Sequence, residues 1–123
     1  MKAETYTATI YCGLKRGYTD EVMPFEEVES FIQDWVDRVS QCVSVTRTEY
    51  IYRGGREPGI IVGFINYPRF PSHPVNIEMG ALELASELLK KCKQMRLSIV
   101  FPDETIMLSN NEEIERYTAK KSQ

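Results

Sequence analysis

Residues 43–67 read VSVTRTEYIYRGGREPGIIVGFINY, and this stretch decides the fold. Its first half, Val43 to Arg53, is rich in Val, Thr, Tyr and Ile, the residue types that suit a pleated, half-buried surface. Gly54-Gly55-Arg56-Glu57-Pro58-Gly59 interrupts it with turn chemistry. Ile60 to Tyr67 is then almost continuously apolar. Two strand-like runs joined by a short Gly-rich loop predict a β-hairpin. The second run lacks strict alternation, as expected of a strand buried on much of both faces and therefore near the middle of a sheet. The loop is not a phosphate loop. It lacks the Gly-Lys-Ser/Thr ending and lies between strands instead of ahead of a helix. Arg53 and Arg56 make its tip a second place where a partner could bind.

On the N-terminal side, Tyr6, Ala8, Ile10, Cys12 and Leu14 alternate with Thr5, Thr7, Thr9 and Tyr11, which predicts a first strand with one apolar and one hydroxyl-rich face. Phe25, Val28, Phe31, Ile32, Trp35, Val36 and Val39 change to the helical period. They predict a helix over about 24–41, with Pro24 in its first turn and Glu26, Glu27 and Glu29 at the positive dipole end. Trp35 belongs on its buried stripe. On the C-terminal side, three prolines within residues 67–74 exclude helix or central strand. Ile77, Ala81, Leu84, Ala85, Leu88, Leu89 and Cys92 predict a second helix, capped by Ser72. Arg96 to Phe101 is a fourth strand, and Thr105 to Leu108 a candidate fifth. Residues 109–123 read as a polar tail, either a short surface helix or disordered.

The order β-α-β-β-α-β is that of an α+β, ferredoxin-like split βαβ domain over residues 1–108, with an antiparallel sheet and both helices on one face. Strands one and three are expected side by side at the centre, running parallel, with the two helices also parallel and Cys42 and Cys92 at one end of the domain. The chain resembles ferredoxin-like domains, and small bacterial and phage proteins of that fold, in Tyr11-Cys12-Gly13-Leu14, Glu57-Pro58-Gly59-Ile60 and Phe101-Pro102-Asp103-Glu104. The resemblance carries no functional residue.

Composition narrows the function classes. The 123 residues suit one domain. A net charge of −3 argues against a nucleic-acid binder, which needs clustered Lys and Arg. Three cysteines without a C-x-x-C pair exclude zinc-ribbon and thioredoxin-type motifs and predict free thiols in the cytoplasm. No apolar segment follows the N-terminus as in a secretory signal, and no run is long enough to span a membrane. One histidine and scattered carboxylates predict no metal site and no cofactor.

Parallel central strands would bring the loops after strands one and three together at one sheet edge. Lys15, Arg16 and Tyr18 would then meet Tyr67, Arg69, Phe70 and His73 between two helix N-termini, a setting for an anionic small molecule or nucleotide. On this reading the chain is a non-catalytic binding protein and a homodimer. The alternatives are an interaction factor of a phage or mobile element, acting through the open sheet face, and a small enzyme using His73.

Overall fold

The computed structural model describes residues 1–17 and 19–121. In chain order it contains β1 (Thr7–Gly13), α1 (Phe25–Val39), β2 (Ser44–Tyr52), β3 (Gly55–Ile65), α2 (Pro74–Lys91), β4 (Arg96–Val100), β5 (Thr105–Ser109) and α3 (Asn111–Lys121). The strands form one antiparallel sheet in the order β2-β3-β1-β4-β5. The α+β ferredoxin-like arrangement is therefore as expected, and the fifth strand extends it by one edge hairpin with β4.

The hairpin at the centre of the sequence turns more tightly than its glycine run suggests. Tyr52 pairs with Gly55, so only Arg53 and Gly54 lie outside the ladder. Gly54 takes a φ of 78°, which costs a residue without Cβ nothing. Glu57 and Pro58, read as part of a chain break, are strand residues paired with Tyr50 and Glu49. Pro58 has no N–H to donate, and its carbonyl accepts the N–H of Leu14 at 2.9 Å.

Helix α1 starts after an extended Pro24 and stops at Ser40, whose left-handed φ of 57° turns the chain while its N–H closes on the Val36 carbonyl. Helix α2 has Pro74 in its first turn, but its cap is His73, not Ser72. The imidazole Nδ1 accepts the N–H of Val75 at 3.1 Å. Alternation in β1 puts Ala8, Ile10 and Cys12 under the helices, with Ile60, Val62 and Phe64 of β3 and Leu97 and Ile99 of β4. Trp35 is 1% exposed and meets the Phe64 ring edge-on at 6.2 Å. Among the described residues no helix is long and apolar enough to cross a membrane.

Two expectations fail for one reason. β1 runs antiparallel to β3, pairing Thr7 with Ile65 and Gly13 with Gly59. A right-handed β1-α1-β2 unit makes β1 and β2 parallel, and the hairpin then reverses β3 where it slots between them. The helices inherit the reversal: Lys91 at the end of α2 lies 3.1 Å from Glu27 in the first turn of α1. Cys42 and Cys92 accordingly sit at opposite ends. Cys92 instead shares a hydrogen bond with Cys12 in the core, which raises the Cys12 thiol pKa and lowers that of Cys92.

Candidate functional site

The reversed β3 dissolves the expected convergence of loops. Residues 15–17 leave β1 beside Gly59, whereas residues 67–73 leave β3 beside Thr7, the full length of β1 away, roughly 20 Å. At the far end Tyr67 and Phe70 stack on each other, centroids 5.2 Å apart, and a hydrogen bond with Cys42 raises the Tyr67 hydroxyl pKa. Arg69 is exposed. His73 is engaged as the α2 cap, and among the described residues no carboxylate pairs with it. Tyr18 lies outside the described residues. Of the six expected ligand residues that are described, Lys15 and Arg16 lie at one end of β1 and Tyr67, Arg69, Phe70 and His73 at the other.

What gathers around Lys15 and Arg16 is a different set. The face of the sheet turned away from α1 and α2 carries Tyr11 and Gly13 of β1, which alternate with the core residues Ile10 and Cys12, and by register with them Gly59, Ile61 and Glu57 of β3 and Tyr50 of β2. At Gly59 the Tyr50 ring lies where a side chain would be: a Cβ there would fall 2.1 Å from Tyr50 Cε2. The Tyr50 hydroxyl donates to the Ile60 carbonyl at 2.7 Å. Burial, then the negative groups around it, push its pKa well above the ordinary phenol value, so this tyrosine stays neutral and offers a fixed ring.

Gly13 leaves a second gap at the end of β1. The position its Cβ would take is 2.7 Å from Glu57 Oε2 and 2.8 Å from Gln94 Oε1, so an acid and an amide meet over bare backbone. Both are held. Glu57 Oε2 accepts the Lys15 N–H at 3.2 Å, and Gln94 Nε2 donates to the Lys15 carbonyl at 2.8 Å. On the uncovered face the Tyr50 ring thus fills the space over Gly59, and the Glu57 carboxylate and Gln94 amide fill the space over Gly13, a cluster at the end of β1.

One residue further, Arg16 turns into a cavity of about 440 Å³ between the β1–α1 loop and α3. Its Nε donates to Glu113 Oε1 at 2.6 Å and its Nη1 to Glu21 at 3.2 Å. The bond to Glu113 is the main reason its pKa is raised. Tyr50, Glu57, Gln94 and Glu113 escaped the reading of the sequence. Tyr50 and Glu57 carried one available signal, since they face each other across a hairpin whose register the two-residue turn sets. Nothing local marks Gln94 or Glu113, which reach Lys15 and Arg16 across 79 and 97 residues of chain.

No protein-family model and no curated protein matches the chain. Two solved structures do. One is a phage SAM lyase in complex with S-methyl-5'-thioadenosine, with a TM-score of 0.69 and 15% identity over 89% of this chain and 93% of that one. The other is a phage SAM lyase in the apo state, with a TM-score of 0.66 and 15% identity over 85% and 89%. The likeness is one of fold. It corrects the reading of this chain as a non-catalytic binding protein: the solved structures that share its fold over nearly their whole length are enzymes, and the enzyme alternative accords with them better.

Proposed function

We propose that this chain is an enzyme that cleaves a sulfonium nucleoside of the S-adenosylmethionine type, working at the cluster of Tyr50 and Glu57 seated over Gly59 and Gly13. The observation that supports this reading most is the near end-to-end correspondence with a phage SAM lyase. The chemistry suits the residues. Breaking the bond between sulfur and the methionyl γ-carbon sends the bonding pair onto sulfur, which leaves as a neutral thioether, while an oxygen of the substrate's own α-carboxylate bonds to that carbon and closes a lactone, so no proton is taken up. Such a site needs no acid at the leaving group, and His73 has no part in it. It needs walls that tolerate a cation and a group that fixes the rest of the substrate. The rings of Tyr50 and Tyr11 present π faces to a sulfonium. Glu57 supplies an anionic oxygen whose direction is set by the Lys15 N–H. The two glycines seat the Tyr50 ring and the Glu57 carboxylate close against the backbone.

The same face carries exposed Ile65, Val100 and Met107. We infer that a second copy of the chain covers them, as a cytoplasmic homodimer that leaves the Tyr50–Glu57 cluster exposed at its end. Light scattering of the purified protein reads that assembly directly.

The reaction is tested by incubating the protein with S-adenosylmethionine and separating the products chromatographically. S-methyl-5'-thioadenosine is expected to accumulate in proportion to protein and time. Glu57→Gln is expected to lower kcat/KM by at least about tenfold, the loss of one aligned electrostatic group. Release no faster than in buffer would refute the reaction. Full activity in the Glu57→Gln protein would refute the site.

A further inference from the structure

We infer that the cavity between the β1–α1 loop and α3 binds the zwitterionic end of an α-amino acid whose side chain is apolar and sulfur-bearing. Its walls include two cations, Arg16 and Arg116, and two anions, Glu21 and Glu113, with Met95 and Tyr117 beside them. The four charges are not equivalent. Glu113 is only 8% exposed and is held by Arg16 Nε at 2.6 Å, Arg16 Nη2 at 3.5 Å and Arg116 Nη1 at 3.5 Å. Removing one partner of a charge pair this far out of water leaves the other poorly solvated, so Glu113 stays in place. Glu21 has a side chain 67% exposed and meets only the outer edge of the Arg16 guanidinium, Nη1, at 3.2 Å. An exposed pair of that kind contributes little to stability, and another carboxylate can replace it.

The ligand class follows from that asymmetry. An incoming carboxylate takes the outer edge of Arg16 and the exposed fork of Arg116, where planar two-point recognition is available. The displaced Glu21 is then free to meet an ammonium beside that carboxylate. A zwitterion leaves the cavity as neutral as it was, whereas a phosphate brings net negative charge against two resident carboxylates. Met95 is soft and polarizable, and with the Tyr117 ring it suits a thioether or sulfonium side chain. The volume of about 440 Å³ falls in the range of small-molecule sites.

The assignment rests on the proposed reaction in one respect. The methionyl half of S-adenosylmethionine is such an amino acid, and the cavity opens at the residue after Lys15, whose N–H holds Glu57.

The test is an amide-resolved NMR titration of the whole chain with L-methionine, 4-(methylthio)butanoate, which lacks the ammonium, and 3-(methylthio)propylamine, which lacks the carboxylate. L-methionine is expected to shift the signals of Arg16, Met95, Glu113 and Arg116. Each truncated compound is expected to bind at least about tenfold more weakly, the loss of one charge-assisted contact. Glu21→Gln, at an exposed side chain, should weaken L-methionine similarly with an unchanged melting midpoint. Equal binding of the three compounds, or no cavity shift at saturating L-methionine, overturns the inference. Cleavage of S-adenosylmethionine without methionine binding here sinks the cavity alone. Binding without cleavage sinks the reaction alone.

Discussion

Gly59→Ala should be among the most damaging single-methyl changes in this protein. The new Cβ would lie 2.1 Å from Tyr50 Cε2, 2.8 Å from Tyr50 Cδ2 and 2.9 Å from the Cys12 carbonyl oxygen. The oxygen belongs to the β1–β3 ladder and cannot retreat without opening paired strands. The ring can swing away, but only by giving up the hydroxyl bond to Ile60. Overpacking costs about 1–3 kcal/mol and a lost hydrogen bond about 1 kcal/mol. The entropic benefit of Gly→Ala in the unfolded chain returns less than about 1 kcal/mol. The expected net destabilisation is about 2–3 kcal/mol. Urea unfolding of Gly59→Ala, Tyr50→Ala and the double variant gives the answer as a cycle. With the ring removed, only the clash against the Cys12 carbonyl is left, so the double variant should be more stable than the two single costs added together, by at least about 1 kcal/mol. A Gly59→Ala protein within about 0.5 kcal/mol of the parent would refute the claim that the Tyr50 ring is seated on this glycine. Additive costs in the cycle would refute it equally.

Trp35→Ala should cost about 3–5 kcal/mol in the same assay, because the indole is fully enclosed and loses its edge contact with Phe64; a cost under about 1 kcal/mol would contradict that packing. Tyr50 also sets a pH limit. Its folded pKa lies above the unfolded 10.0, so the unfolded chain releases this proton first and stability should fall as pH rises beyond about 10. Tyr50→Phe should lose the hydrogen bond at neutral pH yet show a shallower alkaline decline than the parent; identical slopes between pH 9 and 11 would show that the phenol is not shielded.

Much of the fold was legible because it is written in local periods. The change from alternation in Thr5–Leu14 to the helical spacing of Phe25–Val39, and back again at Val43, reflects which faces must leave water, and each element declares that within a few turns of its own chain. Strand existence, helix existence, the hairpin and the burial of Trp35 are all of this kind. The site is not. Direction of pairing is a property of the whole path: one reversal at Arg53–Gly54 makes β3 antiparallel to β1 and sends residues 67–73 to the opposite end from Lys15 and Arg16. The residues that did gather at Lys15 and Arg16 arrive from the hairpin, from the end of α2 and from α3. Each looks ordinary in its own segment. Glu57 comes to lie over the end of β1 only because Gly13 lacks a side chain beneath it, and Glu113 is a buried acid only because Arg16 is there to receive it. Periodicity reports what a residue does with water. Chemistry at a site depends on what it does with distant partners, and tertiary packing alone assigns those.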